Sequence, residues 1–160
     1  MRGSWRVWAT VVGLAFLHFF LHLGLGLGEV APDLLTVSLL LAAREVGMGA
    51  AAGIGFAFGL LLDAFSLLAF GANALALTLV GAAGARTRDW FVGDSFFFVI
   101  SYLFLGKWVK DLVHWVAVGE GVREPFVQAI LIGAPLAAAY AAAIGVVAVM
   151  ITGAWWESLR

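Results

Sequence analysis

The sequence predicts an all-α membrane protein, a polytopic bundle of about six transmembrane helices. Hydrophobic residues make up 64% of the 160 residues and charged residues 12%, against roughly 45–50% and about 25% in soluble domains. The apolar residues also fall into long runs, several near the roughly 20 residues that a helix needs to cross a bilayer. A soluble fold of this size could not bury so much apolar surface. We therefore predict one integral membrane domain over residues 1–160.

The composition also excludes several functions. The chain has no cysteine, so it forms no disulfide and no zinc–thiolate site. The net charge of −1 offers no basic surface for nucleic acid. No phosphate-binding loop, nucleophile motif or pair of intramembrane carboxylates is present. We predict no catalytic residues, no cofactor and no metal.

The first helix is predicted over Val7–Leu27, which is longer than the roughly 7–15-residue core of a signal peptide. The polar turn GEVAPD follows, in which Pro32 is suited to opening a helix and Asp33 completes the turn. The next apolar run, Leu34–Ala43, is too short to span upright even when it is counted from Val30. It predicts a partial or strongly packed helix.

Four further helices follow from the remaining apolar runs: Val46–Leu62, Ser66–Ala85, Trp90–Gly106 and Pro125–Gly153. Basic residues flank the start of the first helix and the end of the fourth: Arg2, Arg6, Arg86 and Arg88. The positive-inside rule places these residues in the cytoplasm. With six helices, both termini are then cytoplasmic.

Asp63 follows the third helix, at its predicted outer end. A carboxylate there needs no deep burial in the membrane, and Asp63 or Ser66 would cap the start of the fourth helix. The alternative is an acid that contacts a partner or a ligand.

Small residues precede Asp63 on one helix face, since Gly55, Gly59 and Asp63 are spaced by four residues and Ala51 extends the series. A second set lies in the last helix: Ala137, Ala141 and Gly145. Such faces let membrane helices approach closely. They indicate either packing within the bundle or docking of a partner's helix.

His18 and His22 lie one turn apart on the first helix. Zinc would need a third ligand, and the sequence supplies none nearby. Packing against aromatic residues or hydrogen bonding between helices is favoured over a metal site.

The segment KWVKDLVHWV, residues 107–116, is amphipathic, with Lys107, Lys110, Asp111 and His114 on its polar stripe. It predicts a helix lying in the outer interface or an extension of the fifth helix. The functional alternative is a polar groove that faces a partner or a small ligand.

The pattern Gly55-Phe56-x-x-Gly59-x-x-x-Asp63, followed by Gly71-x-x-Ala74-Leu75, resembles the core signature of the MreD family of rod shape-determining proteins. Pro32-Asp33 resembles that family's R-P-D turn, with Ala31 in place of the arginine. The resemblance covers roughly residues 31–85.

This resemblance implies a non-enzymatic scaffold in the bacterial cytoplasmic membrane. It implies an MreC-like single-span partner and, indirectly, MreB, RodA and a class B penicillin-binding protein. The implied partner surface comprises Gly55, Phe56, Gly59, Asp63 and Gly71. A different class stays open: a small-molecule-binding subunit similar to the substrate-capture component of energy-coupling-factor transporters, with the polar stripe of residues 107–114 lining its pocket.

Overall fold

Every regular element that the structure describes is helical. The computed structural model describes residues 5–26, 31–66, 69–87 and 96–152. Within them lie six α-helices: α1 Trp5–Phe19, α2 Leu34–Glu45, α3 Met48–Asp63, α4 Ala72–Thr87, α5 Phe96–Ala117 and α6 Ala134–Thr152. Helix α1 continues as a π-helix over Phe20–Gly24, and a second π-helix, Val127–Gly133, leads into α6.

Consecutive helices run antiparallel, as α5 and α6 show. The indole N–H of Trp108 donates to the carbonyl of Ile130 at 3.0 Å, and that of Trp115, two turns further along α5, donates to the carbonyl of Glu124 at 2.8 Å. Because the later residue of α5 meets the earlier residue of the following segment, the chain reverses direction between them.

This alternation gives the bundle two different ends. We call one the polar end, because it carries Asp33, Asp63, Lys107, Lys110, Asp111 and His114. We call the other the arginine end, because it carries Arg6, Arg44 and Arg86.

Helix α2 is the centre of the bundle. All ten residues of Leu34–Ala43 are buried, and the helix contacts α1, α3, α4, α5 and α6. A helix that is apolar on every side is stable only when it is enclosed. At 12 residues it is about 18 Å long, so the short apolar run is indeed a strongly packed helix.

Helices α3 and α4 pack through their backbones. A Cβ atom at Gly55 would lie 2.1 Å from the carbonyl oxygen of Leu77, and one at Gly59 would lie 2.2 Å from the Cα of Ala74. The predicted small-residue face, Ala51 included, is buried. In this structure it serves packing within the bundle.

The small-residue face of α6 is buried as well, with one residue misplaced in the sequence prediction. Ala141 and Gly145 are buried, but Ala137 is exposed. A Cβ atom at Gly145 would lie 2.7 Å from Val37, so this face packs on the central helix.

Two predicted boundaries differ from the structure by more than one helical turn. Helix α4 begins at Ala72 rather than Ser66, because Gly71 has a φ of +93°, a left-handed conformation that ends the preceding turn. Helix α5 runs without interruption to Ala117, so residues 107–116 are an extension of it. The predicted start of the fifth helix, Trp90, lies outside the described residues.

Two of the described helices are long and apolar enough to cross a membrane: Trp5–Gly24 and Val127–Thr152. Large apolar side chains cover the exterior, as at Phe16 on α1 and Ile151 on α6, which are 74% and 80% exposed. Exposed apolar surface of this extent is typical of a membrane-embedded exterior.

Candidate functional site

Four charged side chains form an ion cluster at the polar end. Asp33 lies 3.6 Å from the ammonium nitrogens of both Lys107 and Lys110. Asp111 accepts hydrogen bonds from Lys107 and lies 3.7 Å from Lys110. The two carboxylates balance the two ammonium groups, so the cluster carries no net charge.

The backbone of α2 fixes Asp33 in this cluster. Its carboxylate accepts hydrogen bonds from the backbone N–H of Thr36 at 3.1 Å and from the Thr36 hydroxyl at 2.7 Å. Asp33 is therefore the N-cap of α2, and Pro32 lies two residues before the helix rather than at its first position. Burial favours the neutral acid, but Lys110 and Lys107 outweigh burial and hold the pKa of Asp33 well below its usual range.

Asp63 is the last residue of α3, but its side chain caps the start of α4. Its carboxylate accepts hydrogen bonds from the backbone N–H groups of Asn73 at 3.1 Å and Ala74 at 2.9 Å, and from the Asn73 side chain at 3.0 Å. It is buried, with 1% of its surface exposed, although the sequence predicted no deep burial. Ser66 does not take this role, since it lies six residues before the first residue of α4 and its N–H donates to the Asp63 carbonyl in the turn that follows α3.

We expect Asp63→Ala to lower the free energy of unfolding by about 1–3 kcal/mol, because it leaves N–H groups at the start of α4 without acceptors. Asp63→Asn keeps one acceptor oxygen and should lose less. Unfolding of both variants in mixed micelles, followed by circular dichroism, measures the two losses. Equal losses would contradict the capping role.

The predicted partner residues do not form one surface. Gly55 and Gly59 face α4, and Asp63 is buried beneath the turn. Gly71 occupies that turn with its positive φ. Phe56 differs from the others, since 51% of its surface is exposed and, one residue after Gly55, it lies on the flank of the glycine face.

The predicted polar stripe divides between two environments. Lys107 and Lys110 point to Asp33, whereas Asp111 and His114 line a cavity of about 490 Å³ beside the loop that follows α5. Glu124 and Gln128 line the same cavity. Sequence reasoning missed these last two, although Gln128 is the only glutamine of the chain and stands in a predicted apolar span.

The histidine pair packs within the bundle. His18 is buried, and the His22 ring lies against it with a centroid distance of 4.0 Å. Within the described residues, no group of three histidine, cysteine, aspartate or glutamate side chains is arranged to hold a metal ion.

A comparison with protein-family models now decides the family. The model described as rod shape-determining protein MreD matches residues 1–119. The chain belongs to the MreD family. The matched region contains α1 to α5, and so the glycine face, the Asp63 cap and the whole ion cluster. The resemblance seen in the sequence is confirmed.

Membership in the MreD family connects this membrane protein to rod shape determination. The MreD match ends before the second π-helix and α6, so the cavity lies at the edge of the matched region. Searches of curated proteins and of solved structures return no match.

Proposed function

We propose that the protein is a non-enzymatic scaffold of the bacterial rod complex, which binds an MreC-like single-span protein by helix packing in the membrane. Through that protein it acts with MreB, RodA and a class B penicillin-binding protein during peptidoglycan elongation. The observation that carries the proposal is the MreD family match over five of the six described helices.

We further propose six membrane crossings in the cytoplasmic membrane, with both termini in the cytoplasm. The separation of charge between the two ends supports this orientation. The arginine end carries Arg6, Arg44 and Arg86, as the positive-inside rule requires of a cytoplasmic end. The sequence adds Arg2 just before α1 and Arg88 just after α4, which gives this end more basic residues than the polar end with Lys107, Lys110 and Arg123.

The α3–α4 hairpin is our proposed partner surface, with Phe56 as its contact residue. Phe56 lies on the face of α3 that α4 leaves exposed. Gly55 and Gly59 hold α4 against the adjoining face. In this arrangement the glycines, Asp63 and Gly71 shape the hairpin, and only Phe56 among the predicted partner residues touches the partner helix.

Copurification with the organism's MreC from lipid nanodiscs tests the proposal. We expect Phe56→Ala to weaken the association about tenfold, because aromatic anchors dominate helix and protein interfaces. Phe16→Ala is the matched control, since Phe16 is an exposed phenylalanine on a different helix. No association of the unmodified proteins, together with normal cell shape after depletion, would overturn the scaffold function.

A further inference from the structure

Both apolar and polar side chains line the cavity at the polar end. The apolar ones include Trp115, Ile130 and Ala134, and the polar ones include Asp111, His114 and Gln128. Its volume of about 490 Å³ falls within the roughly 300–1,000 Å³ of small-molecule sites. The cavity is therefore large enough for a small amphipathic molecule.

The cations near the cavity are already engaged. Lys107 and Lys110 are held by Asp33 and Asp111 and do not line the cavity. Arg123 does line it, but its guanidinium donates to backbone carbonyls at the end of α5 and lies 4.4 Å from the centre of the Trp115 ring. These contacts hold the guanidinium against the end of α5 and the Trp115 ring, with its Nε and Nη2 donors bonded to backbone carbonyls.

Acceptors in the lining remain available. Within the described part of the chain, neither the Glu124 carboxylate nor the Gln128 amide takes part in a side-chain hydrogen bond or ion pair. The Glu124 backbone is fixed by the hydrogen bond from Trp115 at 2.8 Å. The Glu124 and Gln128 side chains are exposed, and a carboxylate without a protein partner is the group in this lining that an organic cation would pair with.

The backbone of the cavity wall is also unusual. The π-helix Val127–Gly133 supplies Gln128, Ile130 and Gly133 to the lining. π-Helical turns are rare and occur frequently at functional sites. The π-helix thus brings a polar side chain, Gln128, and an apolar one, Ile130, to the same cavity.

We propose that this cavity binds a small amphipathic cation, a primary ammonium or guanidinium group attached to an apolar body. The charged group pairs with Glu124 and Gln128, and the apolar body packs against Trp115 and Ile130. This inference stands apart from the scaffold function, since it concerns a different surface from the α3–α4 hairpin.

Binding of phenethylamine to the full chain in nanodiscs tests the proposal, with 2-phenylethanol as the neutral probe of matched shape. We expect saturable binding of the amine, measured by calorimetry, and at least about tenfold weaker binding of the alcohol. Glu124→Gln should weaken amine binding about tenfold. Glu120→Gln is the matched control, because Glu120 is exposed in the same loop, as Glu124 is, but does not line the cavity.

Three results would overturn the proposal. The first is equal affinity for the amine and the alcohol. The second is equal amine affinity in the Glu124→Gln and Glu120→Gln variants. The third is a signal no larger than that of nanodiscs without protein, which would assign the uptake to the lipid. Copurification with MreC is independent of all three, so the scaffold function and the cavity proposal can fail separately.

Discussion

Replacing Asp33 with alanine is expected to destabilise the protein by about 3 kcal/mol or more, the usual cost of leaving a buried charge without its partner. Asp33 contacts both Lys107 and Lys110 at 3.6 Å, and the three side chains are only 15%, 7% and 11% exposed. Without it, two ammonium groups share the single carboxylate of Asp111. The variant also loses the N-cap of α2, worth about 1 kcal/mol.

Two further variants separate the charge from the cap. Asp33→Asn keeps a good N-cap residue and removes only the charge. Adding Lys110→Met to Asp33→Asn leaves Lys107 paired with Asp111, so the double variant should regain most of the lost stability. Chemical unfolding in mixed micelles gives the free energies of Asp33→Asn, of Lys110→Met alone and of the double variant. If the losses simply add, the cluster is not a coupled ionic unit.

The acid dependence of stability offers an independent check. The folded-state pKa of Asp33 lies below the ordinary value of 3.8. Its contribution to stability is therefore complete above that pH and is lost as the pH falls toward the folded-state value. The Asp33→Asn variant lacks this part of the acid dependence, so its stability curve should be flatter below about pH 4.

The helical fold class was predictable from the sequence because a membrane helix is indicated by a local property, the length and composition of an apolar run. The same signal predicted a partial or strongly packed helix at Leu34–Ala43, since a short segment that is apolar on every side must be enclosed, but it did not predict that this helix lies at the centre of the bundle. The start of α4 was not predicted correctly. Its position depends on the left-handed Gly71, and a glycine in the sequence does not reveal its φ.

The ion cluster was beyond sequence reasoning for a different reason. Asp33 was assigned to a turn and Lys107 to an amphipathic stripe, 74 residues apart in the chain. Only the antiparallel arrangement of α2 and α5 brings them together. Nothing in the local pattern distinguishes a lysine that pairs inside the bundle from one that lines a groove, and the stripe divides between these two roles.

The role of the glycine face could not be read from the sequence either, because a face for internal packing and a face for partner docking need identical spacing. The structure distinguishes them through distances to α4. A Cβ atom at Gly59 would lie 2.2 Å from the Cα of Ala74 and 2.5 Å from its backbone nitrogen. These are backbone atoms of α4, which a side-chain rotation cannot move out of the way.

Gly59→Ala is therefore expected to cost about 1–3 kcal/mol, the range for overpacking a filled interior. The two helices would have to move apart, which also draws Asp63 away from the N–H groups of Asn73 and Ala74 that it caps. Elsewhere in a helix the same substitution is favourable by up to about 1 kcal/mol. Gly53 is the matched control, because it lies on the same helix with no atom within 4 Å of an added Cβ.

The comparison of Gly59→Ala with Gly53→Ala shows whether the missing side chain of Gly59 is needed for close packing of α3 on α4. We expect opposite signs: a lower midpoint of unfolding for the first variant and an unchanged or higher midpoint for the second. Similar shifts in both would show that the α3–α4 contact is looser than the distances at Gly55 and Gly59 imply. If Gly59→Ala instead left stability intact and abolished copurification with MreC, the glycine face would belong to the partner, and the contact residue would not be Phe56.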